Sequence, residues 1–368
     1  MGYAWYFSGV TNIIAVAPVL ADNVYEQSVI TDELAPLVTP DRSKQAVMRR
    51  LHSSSRIATR HTILPLESYR DLNSFTQAND LFITCGTDLA ERAIRLALQK
   101  SKLAATDIDF FFFTSVTGIA APSLDAILAS RLGMRSNVKR VPSFGLGCVA
   151  GASALARVHD YLTGHPTEIA LIVSLELCSL TIQRDDSSMA NLVASGLFGD
   201  GATAVILAGD ECALEINKAC PKIIATGSRL YSETTDVIGW NVGSSGFRIV
   251  LSAGVPAVIE KNFANDVENL LAPHGLVTSD ISAWMAHAGG PKILEAFETS
   301  LQLTSGELHR SWSSLSRVGN LSSSSVLHVL GDTLEAQDAS PGAYGLLFAL
   351  GPGVCSEIVL MKWPDAPS

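Results

Sequence analysis

The sequence predicts an α/β fold written in two duplicated halves, and three observations predict it. Apolar residues make up 47% of the 368 residues and charged residues 17%, the balance of an interior-rich chain. Helix-like and strand-like segments alternate along the chain. The same order of segments then recurs. Thr106-Asp107-Ile108 leads into a strand ending at Thr114, as Ser279-Asp280-Ile281 leads into one ending at His287. Gly147-Cys148 and Gly319-Asn320 each open a small-residue segment in which Ser153 and Leu155 match Ser325 and Leu327, and Ala170 to Val173 match Gly345 to Phe348. Duplication of this kind places the halves at residues 1–212 and 213–368, with Cys148 and Asn320 at equivalent helix starts beside a pseudo-two-fold axis.

The elements follow in order. Ile13 to Ala21 is apolar, but no Lys or Arg precedes Arg42 and Pro18 interrupts the run, so it reads as a buried first strand and not as a signal peptide. Arg49, Arg50, Arg56 and Arg60 form a local basic cluster, either a solvated helix face or a docking patch for a phosphorylated ligand. Leu89 to Gln99 has helical spacing; Phe110 to Phe113 and Ile169 to Val173 are continuous apolar runs of buried-strand length. No stretch is long and apolar enough to span a bilayer. A net charge of -10 argues against a nucleic-acid partner. Cys85, Cys148, Cys178, Cys212, Cys220 and Cys355 show neither CxxC pairs nor His partners at ligand spacing, which predicts no metal and a reducing, cytoplasmic setting.

Three polar residues sit where chemistry is expected. Cys148 follows Phe144-Gly145-Leu146-Gly147 and precedes small residues to Leu155, so it opens a buried helix, where a thiol's pKa is lowered and the nucleophilic thiolate becomes available. His287 ends an apolar strand and enters Ala288-Gly289-Gly290-Pro291; a core histidine with satisfied nitrogens is the alternative to a site residue. Asn320 is either a helix cap or a third member of the site. A Cys, a His and an Asn in this order fit two chemistries. One is hydrolysis by a papain-like triad, although the second cysteine and the aromatic that accompany such a nucleophile are absent. The other is decarboxylative condensation, with His and Asn donating hydrogen bonds to a developing enolate.

The assembled motifs resemble the chalcone synthase-like, type III polyketide synthase family of the thiolase superfamily. They are Phe144 to Leu155, Gly199-Asp200-Gly201-Ala202 after Leu197-Phe198, His287 to Pro291, Val318-Gly319-Asn320-Leu321-Ser322-Ser323 and Gly351-Pro352-Gly353. Within the family the chain looks most like bacterial, actinobacterial-type long-chain alkylpyrone synthases. The resemblance implies a five-layered αβαβα thiolase-like fold, a homodimer, no metal or prosthetic group, and an acyl-CoA starter extended by malonyl-CoA. It implies Cys148 as the acyl carrier, with His287 and Asn320 as the decarboxylation and oxyanion pair. Phe198 and Phe247 match the gatekeeper aromatics, Arg50 a CoA-contacting position, and Gly289, Gly351, Pro352 and Gly353 substrate-binding segments.

The chain departs from plant members at several of these places. Other basic positions of the CoA patch fall on Val47 and Ser54. Ala121, before Pro122, replaces a cavity-closing methionine, which makes Thr117, Ala121 and Cys178 candidates for lining a tunnel that admits a medium or long acyl chain. The expectation is therefore an alkyl α-pyrone. A resorcinol-type product, a ketosynthase III-like enzyme fed by acyl carrier protein, and a non-catalytic acyl-CoA-binding member are the alternatives.

Overall fold

A computed structural model describes residues 9–184, 186–213, 220–304 and 306–366. The first half begins with β1 (Thr11–Leu20), the antiparallel partners β2 (Asn23–Glu26) and β3 (Thr59–Thr62), and between them α1 (Gln27–Val38) and α2 (Arg42–Ser53). The long α3 (Phe75–Ser101), β4 (Phe110–Thr114), α4 (Leu124–Arg131) and β5 (Lys139–Ser143) follow. Then come α5 (Ala150–Gly164), β6 (Ile169–Leu177), α6 (Met189–Ala194) and β7 (Asp200–Gly209). The second half contains β8 (Lys222–Leu230), the hairpin β9 (Ile238–Gly243) and β10 (Gly246–Leu251), and α7 (Val255–Leu271). It ends with β11 (Ile281–Ala286), α8 (Pro291–Leu301), α9 (His309–Val318), α10 (Ser324–Ala336), β12 (Tyr344–Gly351) and β13 (Cys355–Lys362).

The duplication is visible in the strand order. The first half runs β1-β7-β6-β4 with antiparallel, antiparallel and parallel pairing; the second runs β8-β13-β12-β11 with the same sequence of directions. Among the described strands, the sheet passes from one half to the other where Thr11 and Asn12 of β1 meet Ile223 and Lys222 of β8, and β5 extends the first half as an edge strand.

Alternation along each strand divides its side chains between two cores. In β6, Leu171, Val173 and Leu175 pack with Leu89, Ala93 and Ile94 of α3, while Ala170 and Ile172 face the centre. In β12, Phe348 packs outward on Phe263 of α7 and Phe297 of α8, while Leu347 and Ala349 face inward. The central core is shared by α5 and α10, each touching strands of both halves. The layers are therefore α3 and α4, a sheet, α5 with α10, a second sheet, and α7 with α8. This is the expected αβαβα thiolase-like arrangement.

Small residues make the middle layer possible. Ala150, Gly151, Ala152, Ser153 and Ala154 are all buried, and a Cβ added at Gly151 would stand 2.2 Å from the Ser323 carbonyl oxygen. The duplication register shifts slightly from the sequence expectation. α5 starts at Ala150 and α10 at Ser324, so the residue two positions before each helix is Cys148 in one half and Ser322 in the other. Asn320 lies further upstream, in the segment that pairs with Phe198, because the turn before α10 is longer than a match of glycines suggests. Gly151→Ala is expected to cost more than about 2 kcal/mol, since neither helix can retreat from a packed centre. Urea unfolding checks this, and an unchanged midpoint would show that the two helix starts are not in forced contact.

Candidate active site

Cys148 occupies a single turn of 3-10 helix, Gly147–Val149, that feeds directly into α5. The turn closes because Gly147 takes a left-handed conformation (φ 55) against Pro352, whose ring would lie 2.6 Å from a Cβ at that position. Gly351 lies against Leu146 and Val149 of the same turn. Thus Gly351 and Pro352, expected at the substrate, brace the turn that carries the thiol. Gly353 is held elsewhere, accepting from Thr234 Oγ1 at 2.9 Å and donating to the Ile238 carbonyl at 3.3 Å.

Cys148, Asn320 and His287 are brought together through a short series of contacts. Cys148 Sγ lies 3.7 Å from Ser322 Oγ, and the Ser322 backbone N–H donates to Asn320 Oδ1 at 2.8 Å. Ser325 Oγ donates to the same oxygen at 3.2 Å, while Asn320 Nδ2 donates to the Gly289 carbonyl at 3.1 Å. These partners fix the amide's orientation and leave Nδ2 one further hydrogen. Gly289 borders the imidazole, since a Cβ there would stand 3.1 Å from His287 Cδ2 and 3.2 Å from Nε2. His287 follows the last residue of β11, and its backbone N–H is held by the Phe348 carbonyl at 2.9 Å. Its Nδ1 is buried without a partner among the described residues, which argues against a satisfied core histidine.

The electrostatics correct one expectation. Enclosure by protein pushes the Cys148 thiol up to about 12; the Ser322 hydroxyl opposes this and the Glu176 carboxylate adds to it. Burial likewise holds His287 down to about 4. The resting pair is therefore a thiol beside the neutral-imidazole part of the site, and not the ready thiolate that a helix start alone suggests.

Glu176 is a residue sequence reasoning passed over, although a lone carboxylate inside the run Ile169–Leu177 was the signal. It accepts from Ser323 Oγ on one oxygen, and from Thr117 Oγ1 at 2.9 Å and the Val116 N–H at 3.2 Å on the other. Burial raises it to about 7. It ties β6 of the first half to the turn before α10 of the second.

Phe198 is placed by the Asn320 segment, with Gly199 N–H donating to the Asn320 carbonyl at 3.0 Å and Asn320 N–H to the Leu197 carbonyl at 2.8 Å. Phe198, Phe247 and Cys178 line one cavity of about 50 Å³, together with Arg60, Tyr69 and Trp240. Tyr69 Oη meets Ser179 Oγ at 2.5 Å, and Ser179 in turn donates to the buried Asp200. The other expected tunnel residues are not part of this lining. Thr117 Oγ1 is occupied by Glu176 and by the Leu177 N–H, and Ala121 lies exposed in a separate groove of about 380 Å³ with Phe82, Pro122 and Phe144.

The four-arginine cluster also separates. Arg49 pairs with Asp32, Arg56 pairs with Glu295 and stacks on Trp312, and Arg60 is buried. Arg50 stands on the exposed face of α2, with Ser54 exposed at its end and Val47 half-buried against the helix's own core. Among the described residues, no helix is long and apolar enough to cross a membrane.

Comparison with known proteins assigns the family. The profile described as chalcone and stilbene synthases, N-terminal domain, matches residues 4–211, and the corresponding C-terminal domain matches residues 222–363. A 1,3,6,8-tetrahydroxynaphthalene synthase of Streptomyces peucetius subsp. caesius is 50% identical over 96% of this chain and 93% of its own. An alpha-pyrone synthesis polyketide synthase-like protein, Pks18 of Mycobacterium tuberculosis, is 31% identical over 92% and 87%. The crystal structure of the tetrahydroxynaphthalene synthase of Streptomyces coelicolor A3(2), described as a bacterial type III polyketide synthase, superposes with a TM-score of 0.90 at 31% identity, covering 96% of this chain and 100% of that one. The chain therefore belongs to the chalcone and stilbene synthase family, and is a type III polyketide synthase, an acyl-transferring enzyme that uses CoA thioesters.

Proposed function

We propose that the protein primes and extends its chain with malonyl-CoA and closes it by carbon–carbon bond formation to a hydroxylated aromatic. The observation that carries this reading is the wall of the cavity behind Phe198 and Phe247. It is small, and Arg60, Tyr69, Ser179, Gln183 and Asn191 interrupt an otherwise apolar lining. A poly-β-keto chain, with an oxygen on alternate carbons, suits such a wall better than an alkyl tail does. The relative at 50% identity supports it, since a naphthalene oxygenated at alternating positions is a chain of malonyl-derived units without a tail.

A second reading, the alkyl α-pyrone from a medium- or long-chain acyl-CoA, is favoured by Ala121. Its small side chain leaves open the apolar groove of Phe82, Phe113, Ile119 and Phe144. The likeness to the mycobacterial alpha-pyrone synthesis protein adds to it.

In either case Cys148 is the acyl carrier. Its proton passes to the neutral His287 as sulfur attacks the starter thioester, and CoA departs as a thiolate that takes a proton from water. Malonyl-CoA then loses carbon dioxide. The enolate oxygen is held by hydrogen bonds from His287 and from the spare hydrogen of Asn320 Nδ2. The enolate carbon attacks the Cys148 thioester, the cysteine sulfur leaves and takes back the proton held on His287, and the chain departs on CoA longer by one unit. Nothing in these steps calls for a metal or prosthetic group, and the CoA thioester serves without a carrier protein. We further infer a homodimer, supported by the unpaired edge of β5 and the exposed Val141, Phe144 and Ile119 beside it.

Mass spectrometry of products from purified protein tests the choice of starter. With malonyl-CoA alone, an aromatic product that disappears in Cys148→Ala is expected. No product without added acyl-CoA, and pyrones peaking at one starter length with it, would establish the second reading instead.

The proton transfer has its own signature. Acyl loading requires neutral His287, so its low-pH limb is expected near about 4, well below the ordinary histidine value of 6.5. A limb near 6.5 would remove His287 as the base. Alkylation of Cys148 by iodoacetamide is expected to go on rising above about pH 9, where a free thiol already levels off. A plateau near neutrality would show that the thiolate is preformed.

A further inference from the structure

Arg60 is a cation held out of water, 4% exposed on β3, with the Asp200 charge near it but not in direct contact. Its Nε donates to Gln27 Oε1 at 2.8 Å and its Nη1 to the Phe198 carbonyl at 2.8 Å. Gln27 is itself fixed by donating to Ser55 Oγ at 3.2 Å and to the Gly196 carbonyl at 2.7 Å. The aliphatic stem lies against Gly319, where a Cβ would come within 3.1 Å of Arg60 Cγ. The guanidinium is thus pinned on three sides, one residue from Asn320. Its remaining nitrogen, Nη2, is buried with no partner among the described residues.

Burial lowers the group only to about 10, so it stays charged at neutral pH. Asp200 is the nearby acid, but the two make no ion pair. The Asp200 carboxylate is already used by the Ile63 N–H at 2.7 Å, the Ser179 N–H at 2.8 Å and the Ser179 hydroxyl. Arg60 lines the same cavity as Phe198, Phe247 and Cys178. An alkyl ligand would leave the free N–H pair unsatisfied there, whereas a carboxylate would take it in a charge-assisted bond strengthened by the enclosed site.

We propose that Arg60 is a specificity-determining residue that binds the terminal carboxylate of a dicarboxylic acyl group while its thioester end is loaded on the enzyme. The inference rests on the reading of Cys148 as acyl carrier and adds to it a chemical class of starter, the ω-carboxyacyl thioesters. The rigid mounting on Gln27 and the Phe198 carbonyl makes it selective. The free nitrogen cannot swing away when an uncharged chain arrives.

The test compares two thioesters with the same carbon skeleton, glutaryl-CoA and valeryl-CoA, as donors to the full-length enzyme, with loading followed by intact-protein mass spectrometry. Wild-type protein is expected to load glutaryl at least about ten-fold faster, the least that a charge-assisted bond would give. Arg60→Gln should bring the two donors to equal loading rates, and Arg60→Lys should retain part of the preference. Equal or slower glutaryl loading by the wild type would overturn the proposal, leaving Nη2 to an ordered water only. A parallel fall with both donors in Arg60→Gln would overturn it in favour of a structural role. Thermal melting verifies that each variant is folded; should neither fold, the wild-type ratio decides alone. Label that persists in Cys148→Ala would refute the assignment of the acyl carrier and not that of Arg60, since the glutaryl preference is read separately.

Discussion

The close approach of α5 and α10 at the centre of the molecule is the constraint on which the other parts depend. Two helix starts, one from each half, meet with backbone nearly touching backbone at Gly151 and Ser323. Every layer is stacked outward from that contact. Because each helix also touches strands of the opposite half, neither sheet has a complete core without the other. Residues 1–212 and 213–368 are repeats in topology, but they share a single interior.

The same contact explains the chemistry of the centre. Turns leading into the two helices deliver Cys148 from one side and Ser322, with Asn320 behind it, from the other. Glu176 links them underneath. Such a centre is largely enclosed, and desolvation displaces thiol, imidazole and carboxylic acid toward their uncharged forms. Neutral groups are what an enolate-forming site needs, since a permanently charged neighbour would bind the resting acid too tightly to release its carbon dioxide. Arg60 is the exception, its stem packed on Gly319 and its Nη1 on the Phe198 carbonyl.

Much of this was legible in the sequence because it is written in pattern. Continuous apolar runs at Phe110 to Phe113 and Ile169 to Val173 became central strands, and the repeated segment order became a repeated strand order. Cys148, His287 and Asn320 stood out because each interrupts an apolar or small-residue stretch. What was hidden depends on distance in space. The exact register of the repeat failed by two residues because a glycine marks a turn without fixing its length. Thr117 looked like a wall residue until Glu176, from another strand, claimed its hydroxyl. Arg60 was grouped with its sequence neighbours on α2, whereas alternation along β3 turns it inward. The resting ionisation of Cys148 was misjudged for the same reason, since helix starts are local and desolvation is not.

The position of β1 in the sheet carries a consequence for how the chain is made. Thr11–Leu20 lies at the middle of the nine strands, paired along its length to β7, which ends at Gly209. β1 therefore lacks its β7 partner until residues 200–209 have left the ribosome, about ten to forty seconds after it at about 5–20 residues per second. Throughout that interval a run of Ile13, Ile14, Val16 and Val19 is exposed in a nascent chain with β-forming character. Yield in a cell should thus be governed less by the stability of the finished enzyme than by how well chaperones shield β1 during translation.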